Sequence, residues 1–126
     1  MLNAKFKVYP PPESIVAVEV TGEVHQADAI KISNQHNDIL RKNKFLRALI
    51  DQRESIVTNA TEVDLLKFAV FLKELFPEGC KVAAVIDPKN APPKETRFVF
   101  SMHQSTGLLF KFFFSVEAAK AWLIAG

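Results

Sequence analysis

The stretch from Leu108 to Leu123, LLFKFFFSVEAAKAWL, constrains the fold of this chain more than any other. An apolar run dense in phenylalanine stops at Ser115, whose hydroxyl can cap a helix, and Ala118, Ala119, Trp122 and Leu123 then return at helical spacing. A buried strand therefore passes directly into an amphipathic helix.

The same alternation recurs upstream. Phe6 and Val8 alternate with Lys5, Lys7 and Tyr9 before Pro10, Pro11 and Pro12 forbid regular pairing, which predicts a short edge strand. Ile15 to Thr21 reads as its partner, with Gly22 at the exit. Ala29, Ile32, His36, Ile39 and Leu40 share one face of a helix over Ala27 to Asn43. Phe45 to Asp51 is the next strand, followed by a polar linker from Gln52 to Ala60. Thr61-Glu62-Val63-Asp64 is close to a capping box and opens a helix that reaches Phe76 and is stopped by Pro77 and Gly79. Lys81 to Asp87 is a compact strand, and the spacing of Phe98, Val99, Met102 and His103 predicts a helix from Pro93 to Gly107.

Strands separated by helices pair in parallel through right-handed crossovers. The expectation is an α/β domain spanning residues 1–126, with about four parallel strands, an antiparallel N-terminal edge strand and roughly four helices. Val16, Val18 and Val20 make one sheet face wholly apolar, whereas Glu19, Arg47 and Lys111 fall on the other. A sheet covered on both faces reads as continuous apolar runs, so the helices are expected mainly on one face.

Composition removes several classes of function. No apolar run approaches the ~20 residues that cross a bilayer, and the start MLNAKFKVYPPP lacks the apolar stretch of a signal peptide, so a cytoplasmic protein without a membrane span is expected. Cys80 is the single cysteine, which forbids an internal disulfide and a cysteine zinc site. Sixteen basic and fourteen acidic residues are scattered along the chain, so its charge does not favour nucleic acid. The densest basic cluster, Arg41, Lys42 and Lys44, falls where a helix should end and its cations meet exposed carbonyls, the reading preferred to its alternative, a phosphate-binding patch.

The order of elements, LRALIDQR with its polar linker and capped helix, KVAAVID, and the terminal FFFSVEAAKAWL resemble the SpoIIAA-like proteins, small relatives of the STAS domain. That resemblance implies a superhelix of strand-helix units, bacterial cytoplasm, frequent dimers, and roles in protein interaction or apolar-ligand binding, with the lipid-carrying CRAL-TRIO domain as a distant structural cousin. In the anti-sigma-factor antagonists it further implies a phosphorylatable serine in an Asp-Ser-Ser-Gly motif after the third strand. Here the junction reads DQRESIVTNAT from Asp51 to Thr61; Asp51 matches, but no Ser-Ser-Gly follows, and Ser55, Thr58 and Thr61 supply the hydroxyls. A phosphoswitch is not expected.

Among chemistry-bearing residues, His25, His36 and His103 fall on different elements without carboxylates or cysteines at ligand spacing, so no metal is expected. His36 and His103 read as packed, hydrogen-bonded core histidines. Asp51 and Arg53 sit where a parallel strand should end, the edge at which open α/β sheets place ligands. No nucleophile-base arrangement, close carboxylate pair or glycine-rich phosphate loop accompanies them, so no cofactor and no enzymatic role is expected. Phe71 interrupts the polar stripe of Asp64, Lys67 and Glu74 and becomes a candidate partner or ligand contact. The expected function is non-enzymatic protein interaction as a homodimer, with a regulatory partner; the alternative is a small apolar-ligand or lipid-binding protein.

Overall fold

The computed structural model describes residues 2–57, 62–89 and 109–125. In chain order the elements are β1 (Asn3–Tyr9), β2 (Ile15–Val24), α1 (Gln26–Asn43), β3 (Arg47–Val57), α2 (Glu62–Leu75), β4 (Lys81–Val85), β5 (Leu109–Phe113) and α3 (Val116–Ile124). They form a five-stranded sheet in the order β1-β2-β3-β4-β5. β1 pairs antiparallel with β2, and the remaining pairs are parallel. Three helices are described instead of roughly four; the expected helix from Pro93 to Gly107 lies outside the described residues.

Because each parallel strand is added beside the previous one in the same direction, right-handed crossovers place their helices on the same face. α1 and α2 accordingly cover Val16, Ala48, Val82, Ala84 and Phe110 with Leu40, Leu72 and Phe76. α3 follows the last strand without a further crossover and lies on the opposite face, over Ile15, Ala17, Leu49, Ala83 and Val85, through Ala119 and Leu123. Val16, Leu40, Leu72, Val82, Val85 and Leu123 have no exposed surface, each removing apolar area worth ~1.5 to 3 kcal/mol from water.

Ser115 caps α3 as its position suggests: its Oγ accepts a hydrogen bond from the Ala118 N–H at 3.2 Å. Ala118 itself is exposed, so the buried stripe is narrower than its spacing predicts. Trp122 is half-buried, its ring packed on Phe113 with a centroid separation of 5.6 Å. In α1, Ser33 and Asn37 join His36 and Leu40 in the interior. The Asn37 side-chain Oδ1 accepts there from the Nε–H of Arg41 at 3.1 Å.

β2 and β3 both outrun their expected ends. Gly22 stands inside β2, not at its exit; its φ of 99° is one that side chains disfavour and glycine adopts freely. The supposed linker after Asp51 is strand through Val57, so Thr21 to Val24 continue to pair with Glu54 to Val57. Phe45 and Leu46 precede β3 and escape its alternation: Phe45 packs against the α1–α2 side of the core, while Leu46 is 47% exposed.

Candidate functional site

The register between β2 and β3 shifts at a bulge. Glu19 pairs with Asp51 and Thr21 with Glu54, so the single residue Val20 opposes both Gln52 and Arg53. An extra residue in one strand leaves backbone groups without ladder partners, and the Asp51 carboxylate answers that need: its Oδ1 accepts from the Arg53 backbone N–H at 3.3 Å. The Arg53 side chain then closes a two-pronged clamp, with Nε on Oδ1 at 2.9 Å and Nη2 on Oδ2 at 2.8 Å. This hydrogen bond to Asp51 raises the Arg53 pKa above its usual value, opposed by partial burial and aided by the Asp51, Glu19 and Glu54 charges.

The structure thus brings Asp51 and Arg53 together, but in mid-strand and committed to each other. Both carboxylate oxygens of Asp51 are engaged, and its side chain is only 13% exposed, so the pair locks the bulge and presents no free base. Ser55, two residues on, is buried, and its Oγ donates to the Gln52 carbonyl at 2.9 Å. That hydroxyl is not presented to a kinase. Thr58 and Thr61, including the expected cap of α2, lie outside the described residues.

Phe71 is not gathered with them. It is half-buried and packs against the core beside Phe68, with ring centroids 5.9 Å apart, instead of standing on the polar stripe of α2. α2 lies against its sheet face and against α1, which draws Phe71 inward. Among the described side chains of that helix, the exposed apolar ones are Val63, at 58%, and Val70, at 41%. Lys67 and Glu74 are exposed along with them.

His36 is buried and donates its Nε2–H to the Val16 carbonyl at 2.7 Å, an assignment the acceptor dictates. The rings of Phe6 and Phe76 meet it edge-on at 5.8 and 5.6 Å. Burial lowers its pKa to about 4, against the opposing pull of the Val16 carbonyl. Burial also pushes the Cys80 thiol up to about 12, leaving it a small apolar core residue. Among the described residues no cluster of histidine, cysteine and carboxylate could hold a metal ion. His103 lies outside them.

At the opposite, amino end of the parallel strands lies an open cleft of about 380 Å³, which no motif in the sequence announces. Ser14, Lys44, Leu46, Arg47, Gly79 and Lys81 line it. Its cations come from the exit of α1 and the first residues of β3 and β4, so only the register of the folded sheet brings them together.

No protein-family model matches the chain, and no curated protein matches it. Among solved structures it is similar to an uncharacterised protein of the DUF3478 family with a SpoIIAA-like fold, from Shewanella loihica PV-4. The TM-score is 0.57 at 17% sequence identity, with 98% of this chain and 95% of that chain covered. This chain has a SpoIIAA-like fold. Within that fold, no described helix is long and apolar enough to cross a membrane.

Proposed function

We propose that this SpoIIAA-like domain is a non-enzymatic protein-interaction module of the cytoplasm that works as a homodimer through α2. The observation that carries the reading is the pair Val63 and Val70, exposed seven residues apart on a helix whose inward side already packs on the sheet. That spacing puts both on one stripe, about 10 Å apart along the axis. Two copies of α2 packed antiparallel about a two-fold axis beside Val70 bury both Val70 side chains and set Lys67 of each copy against Glu74 of the other. Opposite charges at the edge of an apolar contact fix its register. The commitment of Asp51 to Arg53 and the burial of His36 and Cys80 support a non-enzymatic role.

Sedimentation equilibrium tests the reading. The expected mass is twice the 14.1 kDa of the chain, falling to the monomer in Val70→Asp with an unchanged circular dichroism spectrum. Lys67→Glu should weaken the dimer, and adding Glu74→Lys should restore it. A monomeric wild type, or a Val70→Asp protein that still dimerises, refutes the assignment. Native mass spectrometry on the same sample distinguishes a doubled chain from one chain retaining a small apolar ligand.

A further inference from the structure

The cleft at the amino ends of β3 and β4 gathers three cations, Lys44, Arg47 and Lys81. Arg47 and Lys81 are direct register partners on adjacent strands. Like charges placed directly opposite across a sheet repel each other. Neither these two nor Lys44 forms an ion pair with a carboxylate among the described residues, where the ion pairs are His25–Glu23 and Arg53–Asp51.

The partners they do have are neutral. Arg47 donates Nη1 to the carbonyls of Glu13 at 2.6 Å and Pro12 at 3.3 Å, and Lys81 donates Nζ to the Trp122 carbonyl at 2.8 Å. Those bonds orient the side chains but leave their charges uncancelled, and among the described residues Nε and Nη2 of Arg47 make no further hydrogen bond and Nζ of Lys81 makes only the one to Trp122. The Trp122 carbonyl near the end of α3 holds Lys81 in this region and Lys44 stands at the exit of α1, yet a helix terminus supplies only about half an elementary charge.

The backbone supplies a second observation. Ser14 and Lys44 are the described non-glycine residues with left-handed φ, at 53° and 59°, and both line this cleft, as does Gly79 at 83°. At the exit of a helix such a conformation favours glycine, and here it carries a lysine. Costly backbone at one place is the pattern of a site that is held open. The remaining wall is apolar, with the half-buried Phe45 beside the exposed Leu46.

We propose that this cleft binds a small soluble amphiphile, a phosphate or carboxylate anion carrying an apolar body, with Lys44, Arg47 and Lys81 on the anion and Leu46 against the body. The volume of about 380 Å³ lies within the roughly 300 to 1,000 Å³ of small-molecule sites and suits one compact ligand. The site is independent of the α2 contact.

The chain carries its own reporter. Trp122 is the single tryptophan, and the Nζ of Lys81 stands 4.7 Å from the centroid of its ring. An anion that draws Lys81 away changes the emission of that ring. The full chain is titrated with phenyl phosphate, with inorganic phosphate, and with phosphatidylcholine vesicles containing phosphatidic acid. The expected result is a saturable change with phenyl phosphate that weakens with added salt, a weaker response to inorganic phosphate, and no association with the vesicles.

Lys44→Gly separates binding from folding, because glycine relieves the left-handed backbone while it removes one charge. Its thermal midpoint should equal or exceed that of the wild type, and its affinity for phenyl phosphate should fall about tenfold, the loss of one charge-assisted contact. Four results each overturn the proposal: no saturable change, equal affinity for inorganic phosphate, unaltered affinity in Lys44→Gly, or association with the vesicles.

Discussion

The buried His36 makes the stability of this fold depend on pH in a calculable way. Its folded pKa of about 4 lies below the ordinary value of 6.5, because protonation would strand a charge between Phe6, Phe76 and the sheet. Above pH 6.5 both folded and unfolded states hold the ring neutral, and His36 contributes no pH dependence. As the pH falls below 6.5 the unfolded chain takes up the proton and the folded chain does not, so stability is lost until the folded pKa is reached. Linkage between these two values gives a loss of about 2 kcal/mol at pH 5 and about 3 kcal/mol at pH 4. For a domain of this size that is a large share of the total. Urea denaturation between pH 7.5 and pH 5 reads it directly, and His36→Gln isolates it, because the amide can donate to the Val16 carbonyl without titrating in this range. The variant should start less stable at pH 7.5 and then change little, while the wild type loses about 2 kcal/mol more than the variant by pH 5. Parallel pH profiles for the two proteins would refute the reasoning, since the loss would then belong to carboxylates elsewhere.

Two further outcomes follow from packing. Trp122 rests on Phe113 but keeps part of its ring in contact with solvent, so Trp122→Ala should cost about 2 to 3 kcal/mol in urea denaturation, below the ~3 to 5 kcal/mol of a fully buried aromatic residue. A midpoint near that of the wild type would show that α3 does not depend on this contact. The Asp51–Arg53 clamp has one well-covered member and one 44% exposed, so a double-mutant cycle of Asp51→Asn and Arg53→Gln should give a coupling of about 1 kcal/mol or less. A larger coupling would mean that the bulge itself unravels without the pair.

Much of this architecture is legible in the residues because period and punctuation agree. The valines of β2 alternate cleanly, the α1 stripe containing His36 holds its helical spacing, and Ser115 marks a change of element that the structure reproduces. The misreadings fall where a tertiary device replaces the local rule. DQRESIV reads as linker because a bulge breaks the two-residue period and because Asp51 and Arg53 neutralise each other at a position where free charges would discourage a strand. Gly22 reads as an exit for the same reason, since a glycine with positive φ inside a strand has no local mark that distinguishes it from a turn. Phe71 reads as part of the polar stripe of α2 from its sequence neighbours, whereas contact with the core turns it inward and leaves Val63 and Val70 exposed. Of the cationic cleft only Lys44 shows in the order of residues, as part of a basic cluster, because the pairing of Arg47 with Lys81 is set by strand register.

The two ends of the parallel sheet are therefore chemically opposite, and this decides where a ligand is best accommodated. Open α/β sheets usually bind at the carboxyl ends of their strands. Here β2 and β3 continue past the last pairing of β3 with β4, at Asp51 and Val85, and there the bulge lock neutralises Asp51 and Arg53 against each other. At the amino end the left-handed turn at Lys44 and the glycine turn before β4 flank the cleft, and the charges of Arg47 and Lys81 have no carboxylate partner among the described residues. The unbalanced end, not the customary one, offers an anion a gain in electrostatic energy. Because Val70 stands on α2 and is absent from the cleft lining, the dimer and the ligand site can fail separately. A monomeric wild type that still binds phenyl phosphate removes the α2 interface and keeps the cleft, whereas a dimer indifferent to every anion does the reverse.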